Sequence, residues 1–405
     1  MDSVEITVMR GDDRAFLGQA ARFAAALSLM FIGYGLIQPI ISLYTSDFVG
    51  ASYLLVGALI STIGLVKAAM GPVSGFLSDT YGRRRFALAG SASIAVSLAI
   101  VAFAGSVVHL FLAFVLYGLG QALFFLVLMT SMVEAAGPAR NALSMGLYEG
   151  VNSFSILAGT ALSGPMVSAF GARVTFGVAS AFSLASFLIC VFLMGETCGR
   201  RRPEGGVLDL GGLKKLISPE YVTAMFSAFL FMYTNSMFMA IIPLYTTITV
   251  QTPAEFLPIL FIGFSGVTAV ASLVAGPLSD RIGRRPPIAV GMVVATASYS
   301  ALILMKTPES LFVAGMALGL GVGFFHPVAH AIVADVSTSE NRGKAFGFYR
   351  LMRDGGTFAG PAVAGVVSSL FGVDALFILS AALSAVGALL IVFVVRETMR
   401  KDPGK

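Results

Sequence analysis

Several ionisable side chains fall inside runs of sequence that are otherwise apolar, where each is a candidate for chemistry. Lys67 stands in the run at about 52–77, Glu149 in 142–170, His326 and His330 in 309–335, and Arg350, Arg353 and Asp354 in 343–371. If those runs cross a membrane, each ionised group costs at least about 2.5 to 3.5 kcal/mol unless it is paired or hydrated. A buried carboxylate can carry a proton, and a lysine or arginine can hold it ionised or attract an anion. Burial favours the neutral carboxyl and an adjacent arginine the ionised one, and for Glu149 the sequence leaves both environments open. His326 and His330 are spaced i, i+4, so both project from one helix face, with Pro327 loosening the helix between them. Hydrogen-bonded packing, a proton relay, ligand contacts and a transition-metal site all fit that pair. The metal reading is the weakest, because no third ligand lies nearby, and no cofactor is expected.

The elements that must position these groups are membrane helices. With 57% hydrophobic and 12% charged residues and a mean hydropathy of +0.89, the chain is too apolar for a soluble globular protein of 405 residues. The apolar material divides into stretches of about 20 to 25 residues, long enough to cross a hydrocarbon core of roughly 30 Å. Six are expected at about 17–45, 52–77, 86–106, 109–134, 142–170 and 174–195. Six more are expected at about 220–247, 256–278, 287–305, 309–335, 343–371 and 374–396. The domain reading is therefore a bundle over 1–195, a polar cytoplasmic linker over 196–219 and a second bundle over 220–405. Lys67 and Asp354 come out at equal depth, each about 15 Å from the loop end of its helix at about 1.5 Å per residue.

All but five of the 26 Lys and Arg fall in the termini and alternate loops, which are therefore read as cytoplasmic, with both termini on that side of the cell membrane. The exceptions are Arg173 and Lys306 in opposite-side loops and Lys67, Arg350 and Arg353 within helices. The net charge of +5 thus reflects orientation, and no nucleic-acid partner is expected. The first residues carry Asp2, Glu5, Asp12 and Asp13 rather than a basic cleavable leader. Cys190 and Cys198 make no disulfide framework. No nucleophile–base constellation or phosphate-binding loop is present, so an enzyme is not expected.

One loop occurs twice. Gly75-Phe76-Leu77-Ser78-Asp79-Thr80-Tyr81-Gly82-Arg83-Arg84 returns 201 residues later as Gly276-Pro277-Leu278-Ser279-Asp280-Arg281-Ile282-Gly283-Arg284-Arg285 with its Gly, Asp and Gly-Arg positions in register. The same shift pairs Gly118 with Gly319, Gly120 with Gly321, Tyr148 with Tyr349, Gly159 with Gly360, Gly164 with Gly365, and Glu196 with Glu397. This is a duplicated six-helix unit. Six is even, so both copies keep one orientation, related by an axis along the membrane normal with a shared cleft between them. The aspartates sit at helix ends with arginines on the same tight turn as partners. Glu134 and Asp335 close the fourth and tenth helices at matching positions and are read as gate acids, against the plainer reading of helix-end carboxylates in solvent.

The paired Gly-x-Leu-x-Asp-x-x-Gly-Arg-Arg loops on a six-plus-six chain resemble the major facilitator superfamily of secondary transporters, over nearly the whole length. The resemblance implies an all-α fold of twelve transmembrane helices in two pseudo-symmetric bundles that alternate access. It also implies that the second and eleventh helices touch across the halves, bringing Lys67 to Asp354 as an interdomain pair, static or moving with protonation. By the same resemblance, the gate acids engage the motif arginines while the protein is open to the outside.

Within the superfamily the chain is most similar to the twelve-helix drug/proton antiporters, with departures. The fifth-helix signature Gly-Pro-x-x-Gly-Gly appears as Gly159-Thr160-Ala161-Leu162-Ser163-Gly164, with the proline displaced to Pro165, and Phe114 stands where an arginine is usual. The implied function is proton-coupled export of hydrophobic or cationic small molecules by a monomer. An anion transporter is the alternative, because the embedded charges lean positive, and a non-transporting sensor or scaffold is a third reading. Phe31, Tyr34, Phe124, Phe125, Met232, Tyr233 and Phe324 would suit a greasy cleft, or lipid-facing packing. Gln38, Gln121, Asn152 and Asn235 are better cleft candidates, because an amide facing lipid would be unsatisfied.

Overall fold

The computed structural model describes residues 11–136, 141–196, 218–253, 256–304, 306–337 and 342–394. Among these the chain is twelve α-helices with no strand: α1 Gly11–Ile37, α2 Ile41–Val49, α3 Tyr53–Tyr81, α4 Arg83–Ala102, α5 Val107–Ala136, α6 Asn141–Leu193, α7 Pro219–Leu244, α8 Phe256–Ile282, α9 Arg285–Leu304, α10 Pro308–Val336, α11 Arg342–Phe371 and α12 Val373–Phe393. A π-turn, Tyr245–Thr249, extends α7. The first expected span is two elements, because Pro39 has no N–H to give and the chain turns at 38–40 before α2 begins. The fifth and sixth expected spans run on as α6, with Gly171 (φ 80°, ψ 166°) as the joint. Its repeat mate Gly372 (φ 83°, ψ 165°) separates α11 from α12. Among the described residues ten stretches are long and apolar enough to cross a membrane. Counting α6 as two helices and adding α11, whose embedded charges set it apart, gives the twelve crossings of a multi-pass membrane protein.

Two apolar cores form, one from Phe23 to Met194 and one from Tyr221 to Ile391. Most of the expected linker, 197–217, lies outside the described residues. Packing repeats along with sequence. A Cβ on Gly118 would stand 2.6 Å from the Ile63 carbonyl oxygen, and its mate Gly319 faces the carbonyl of Phe264, the mate of Ile63. Gly120 meets Gly90 and Ile94 as Gly321 meets Gly291 and Ala295. Close backbone approach is what fixes these glycines.

The motif glycines divide by conformation. Gly82 (φ 99°) and Gly283 (φ 100°) turn the chain between helices in a region that side chains resist. Gly75 and Gly276 are ordinary helical residues with room for a methyl group. Gly82→Ala and Gly283→Ala should each cost about 1 to 3 kcal/mol, whereas Gly75→Ala should be neutral or stabilising by about 0.5 to 1 kcal/mol. Thermal unfolding midpoints in detergent check this, and equal midpoints for Gly82→Ala and Gly75→Ala would refute it.

The halves meet along α3 with α11 and α6 with α8. Gly365 packs on the Tyr53 carbonyl (2.8 Å from a built Cβ), Gly64 on the Phe358 backbone (2.6 Å) and Gly164 on Pro258 (2.9 Å). Beyond them Ser42 donates to the Ala240 carbonyl, and the Tyr53 and Thr249 hydroxyls lie 3.5 Å apart. Towards the Arg83 and Arg284 loops, among the described residues, a Cβ on Gly71, Gly146, Gly276 or Gly347 would meet no atom within 4 Å. The two basic residues of the opposite-side loops are both engaged, Lys306 with Asp374 (2.6 Å) and Arg173 with the Ala104 carbonyl (3.5 Å). The hydrogen bond to Asp374 raises the pKa of the Lys306 ammonium.

Candidate functional site

At the seam between the halves, α3 and α11 carry a charge cluster. Gly64 lets the helix backbones touch one turn before Lys67, and that closeness brings Lys67 Nζ to 3.2 Å from Asp354 Oδ1. The expected pair is larger than a pair. Arg353 donates from Nε (3.2 Å) and Nη2 (3.1 Å) to the same oxygen, and Arg350 Nε stands 3.6 Å from Asp354 Oδ2, one helical turn away. One carboxylate thus serves three cations. It is sealed, with 2% of its side chain exposed, while Lys67, Arg350 and Arg353 keep 15%, 13% and 19%.

A second contact crosses the halves between α6 and α10. Glu149 Oε1 is 3.6 Å from His330 Nδ1, ion-pair range once the imidazole is protonated. Asn152, one turn on, donates to Glu149 Oε2 at 3.4 Å. His330 stands edge-on to Tyr349 (5.4 Å) and tilted against His326 (6.4 Å), which is edge-on to Phe231 (6.1 Å). Of the readings for the histidines, aromatic packing and a proton relay to Glu149 gain from this geometry. Among the described residues no three His, Cys, Asp or Glu side chains converge as a metal site.

The remaining cleft candidates spread over the first half and the seam. Phe31 stacks on Phe125 at 4.7 Å, with Tyr148 edge-on to Phe31 at 6.1 Å. Gln121 is buried one turn from Tyr117, also buried, on α5. Gln38 donates to Met239 Sδ at 3.3 Å. These two are repeat mates, so they meet at the pseudo-twofold axis, and Gln38 is not brought to the charge cluster. Asn235 is half-buried on α7. The oxygens Gln38 Oε1 and Asn152 Oδ1 and the Tyr349 hydroxyl are buried without a hydrogen-bond partner. Tyr148 and Tyr349 were visible in the sequence only as a repeat pair, and the fold is what puts Tyr148 against Phe31 and Tyr349 against His330.

The family model of the Major Facilitator Superfamily matches residues 23–251 and 224–405. The chain belongs to the major facilitator superfamily. It is similar to the multidrug resistance protein MdtG of Dickeya zeae (strain Ech586), 23% identical over 382 residues, 90% of this chain and 92% of the relative. A multi-drug resistance efflux pump PmrA homolog of Lactococcus lactis subsp. lactis (strain IL1403) is 22% identical over 364 residues, 85% of this chain and 88% of the relative. Among solved structures, a mutant of the nucleoside transporter NupG superposes with a TM-score of 0.79 at 13% identity, covering 93% of this chain and all of that one. That likeness speaks to the fold.

In this superfamily member each repeated loop pairs with the acid expected at its gate, Glu134 or Asp335. Arg83, 7% exposed, reaches Asp79 (2.8 Å), holds Glu134 through Nε and Nη2 (2.6 Å each) and donates to Thr130 (2.5 Å). Arg284 pairs with Asp280 and with Asp335 (2.9 Å). Both triads are formed in this structure. Arg84 has a different partner: its Nη2 donates to the Val191 carbonyl at 2.5 Å. Glu196, visible before only as a repeated residue, accepts from the backbone N–H of Arg83 (2.8 Å) and Arg84 (3.3 Å), capping α4. Arg140 and Glu397 lie outside the described residues, as do the side-chain contacts of Arg342. Because Asp79 and Glu134 are substantially exposed, Asp79→Asn should shift stability by less than about 1 kcal/mol. Its transport rate should nonetheless fall at least tenfold, read in vesicles against the amount of folded protein. Unchanged transport would remove Asp79 from the gate.

Proposed function

We propose that the chain exports hydrophobic small molecules in exchange for protons, by rocking the bundle 1–195 against the bundle 220–405 about a linker over 196–219. The observation that carries this reading is the pair of contacts, Lys67–Asp354 and Glu149–His330, that span the halves. A carboxylate beside an imidazole at such a seam can couple a proton to the making and breaking of the contact. Relatives named for multidrug resistance and multidrug efflux support the direction and the cargo. The distribution of Lys and Arg supports cytoplasmic termini. On that orientation the Arg83 and Arg284 loops face the cytoplasm, and we read the structure as the inward-open form of the cycle. The working unit is a monomer, whose single cleft lies between its own two halves.

The test is reconstitution of the full chain in proteoliposomes with an imposed pH gradient. The gradient should drive a hydrophobic fluorescent solute uphill, and a protonophore should collapse the accumulation. Movement that equilibrates the solute but ignores the gradient would rule out proton coupling.

A further inference from the structure

We infer that the cargo carries an anionic group, seated on Arg350, Arg353 and Lys67. This narrows the export reading above and rests on it. The argument starts from charge. Three cations converge on a single carboxylate, which is 2% exposed and lies behind them, so what remains accessible is cationic. Glu149, the other embedded acid, has no lysine or arginine within 4 Å among the described residues; its ion-pair neighbour is His330.

Hydrogen-bonding capacity points the same way. A guanidinium has five N–H donors in a planar fork matched to carboxylate, phosphate or sulfonate oxygens. Arg353 directs Nε and Nη2 to Asp354 and leaves Nη1 uncommitted. Arg350 makes only a 3.6 Å approach through Nε. The side chains of Arg350 and Arg353 keep 13% and 19% exposure. An ammonium cargo would meet like charge at this point, whereas an anion would neutralise part of the excess.

The experiment compares three probes of one shape on the full chain in nanodiscs and proteoliposomes: 1-naphthaleneacetate, its methyl ester, and (1-naphthylmethyl)trimethylammonium. Saturable binding should be tightest for the carboxylate, by at least tenfold, and should weaken as salt is raised. Arg350→Gln should weaken carboxylate binding about tenfold and leave ester binding unchanged, while Arg350→Lys should retain part of the preference. Unfolding midpoints of both variants separate lost binding from lost fold, and Arg353→Lys repeats the test at a second guanidinium if Arg350→Gln does not fold. Tighter binding of the ammonium or the ester than of the carboxylate, or no saturable carboxylate binding, overturns the inference. A pH gradient that drives the ammonium alone does so too while sparing the export reading. Carboxylate binding with no gradient-driven movement of any probe leaves the anion site standing and removes proton-coupled export.

Discussion

Asp354→Leu is expected to lose about 3 to 5 kcal/mol of stability, the range for removing one partner of a buried ionic group. The asymmetry of the cluster sets the size of the effect. Removing Asp354 strands Lys67, Arg350 and Arg353 beside one another, whereas Lys67→Met leaves Asp354 with both arginines and removes one desolvated cation. Lys67→Met should therefore cost about 1 kcal/mol or less. An isolated buried pair would be nearly restored by replacing both members, but here Lys67→Met should rescue Asp354→Leu only in part. Adding Arg353→Met to that double variant should recover more. Thermal unfolding in detergent reads the whole cycle. Return of the double variant to within about 1 kcal/mol of wild type would mean that the arginines do not depend on Asp354.

Glu149→Gln should lower pH-gradient-driven transport at least tenfold while solute counterflow, which needs no net proton movement, persists. The geometry motivates this split. Glu149 is held by the neutral amide of Asn152 and faces His330, whereas Asp354 is committed to three cations. The group free to exchange a proton is the one without a fixed charge partner. Counterflow by the variant should also lose the pH dependence that wild type shows, because its amide cannot titrate. His330→Gln should shift that profile and leave part of the coupling. If Glu149→Gln kept both its gradient response and its pH profile, coupling would have to be assigned to the histidines.

Much of the architecture was legible because it rests on short-range physics. Apolar runs long enough for a bilayer admit helices and little else, since backbone groups in hydrocarbon must be satisfied within the segment. A 201-residue register kept from Gly75 to Glu196 dictates two like-oriented halves. The break at Pro39 was not legible for a local reason: a proline can bend an apolar helix or end it, depending on what packs around it. The joint between the fifth and sixth spans falls at Gly171, between the expected ends at about 170 and 174.

The site divides along the same line. Residue types determined that Lys67, Glu149, Arg350, Arg353 and Asp354 need partners, because charge inside an apolar helix is costly wherever the helix packs. Sequence also fixed the motif turns, since Gly82 and Gly283 are demanded by backbone conformation alone. Which charge meets which was left to tertiary structure. The approach of Gly64 to the Phe358 backbone sets the α3–α11 register, and that register makes Asp354 the hub of four charges and leaves Glu149 to His330. Partner choice depends on helix separations within an ångström or two, and those are decided by small residues packing across a seam between segments nearly 300 residues apart in the chain.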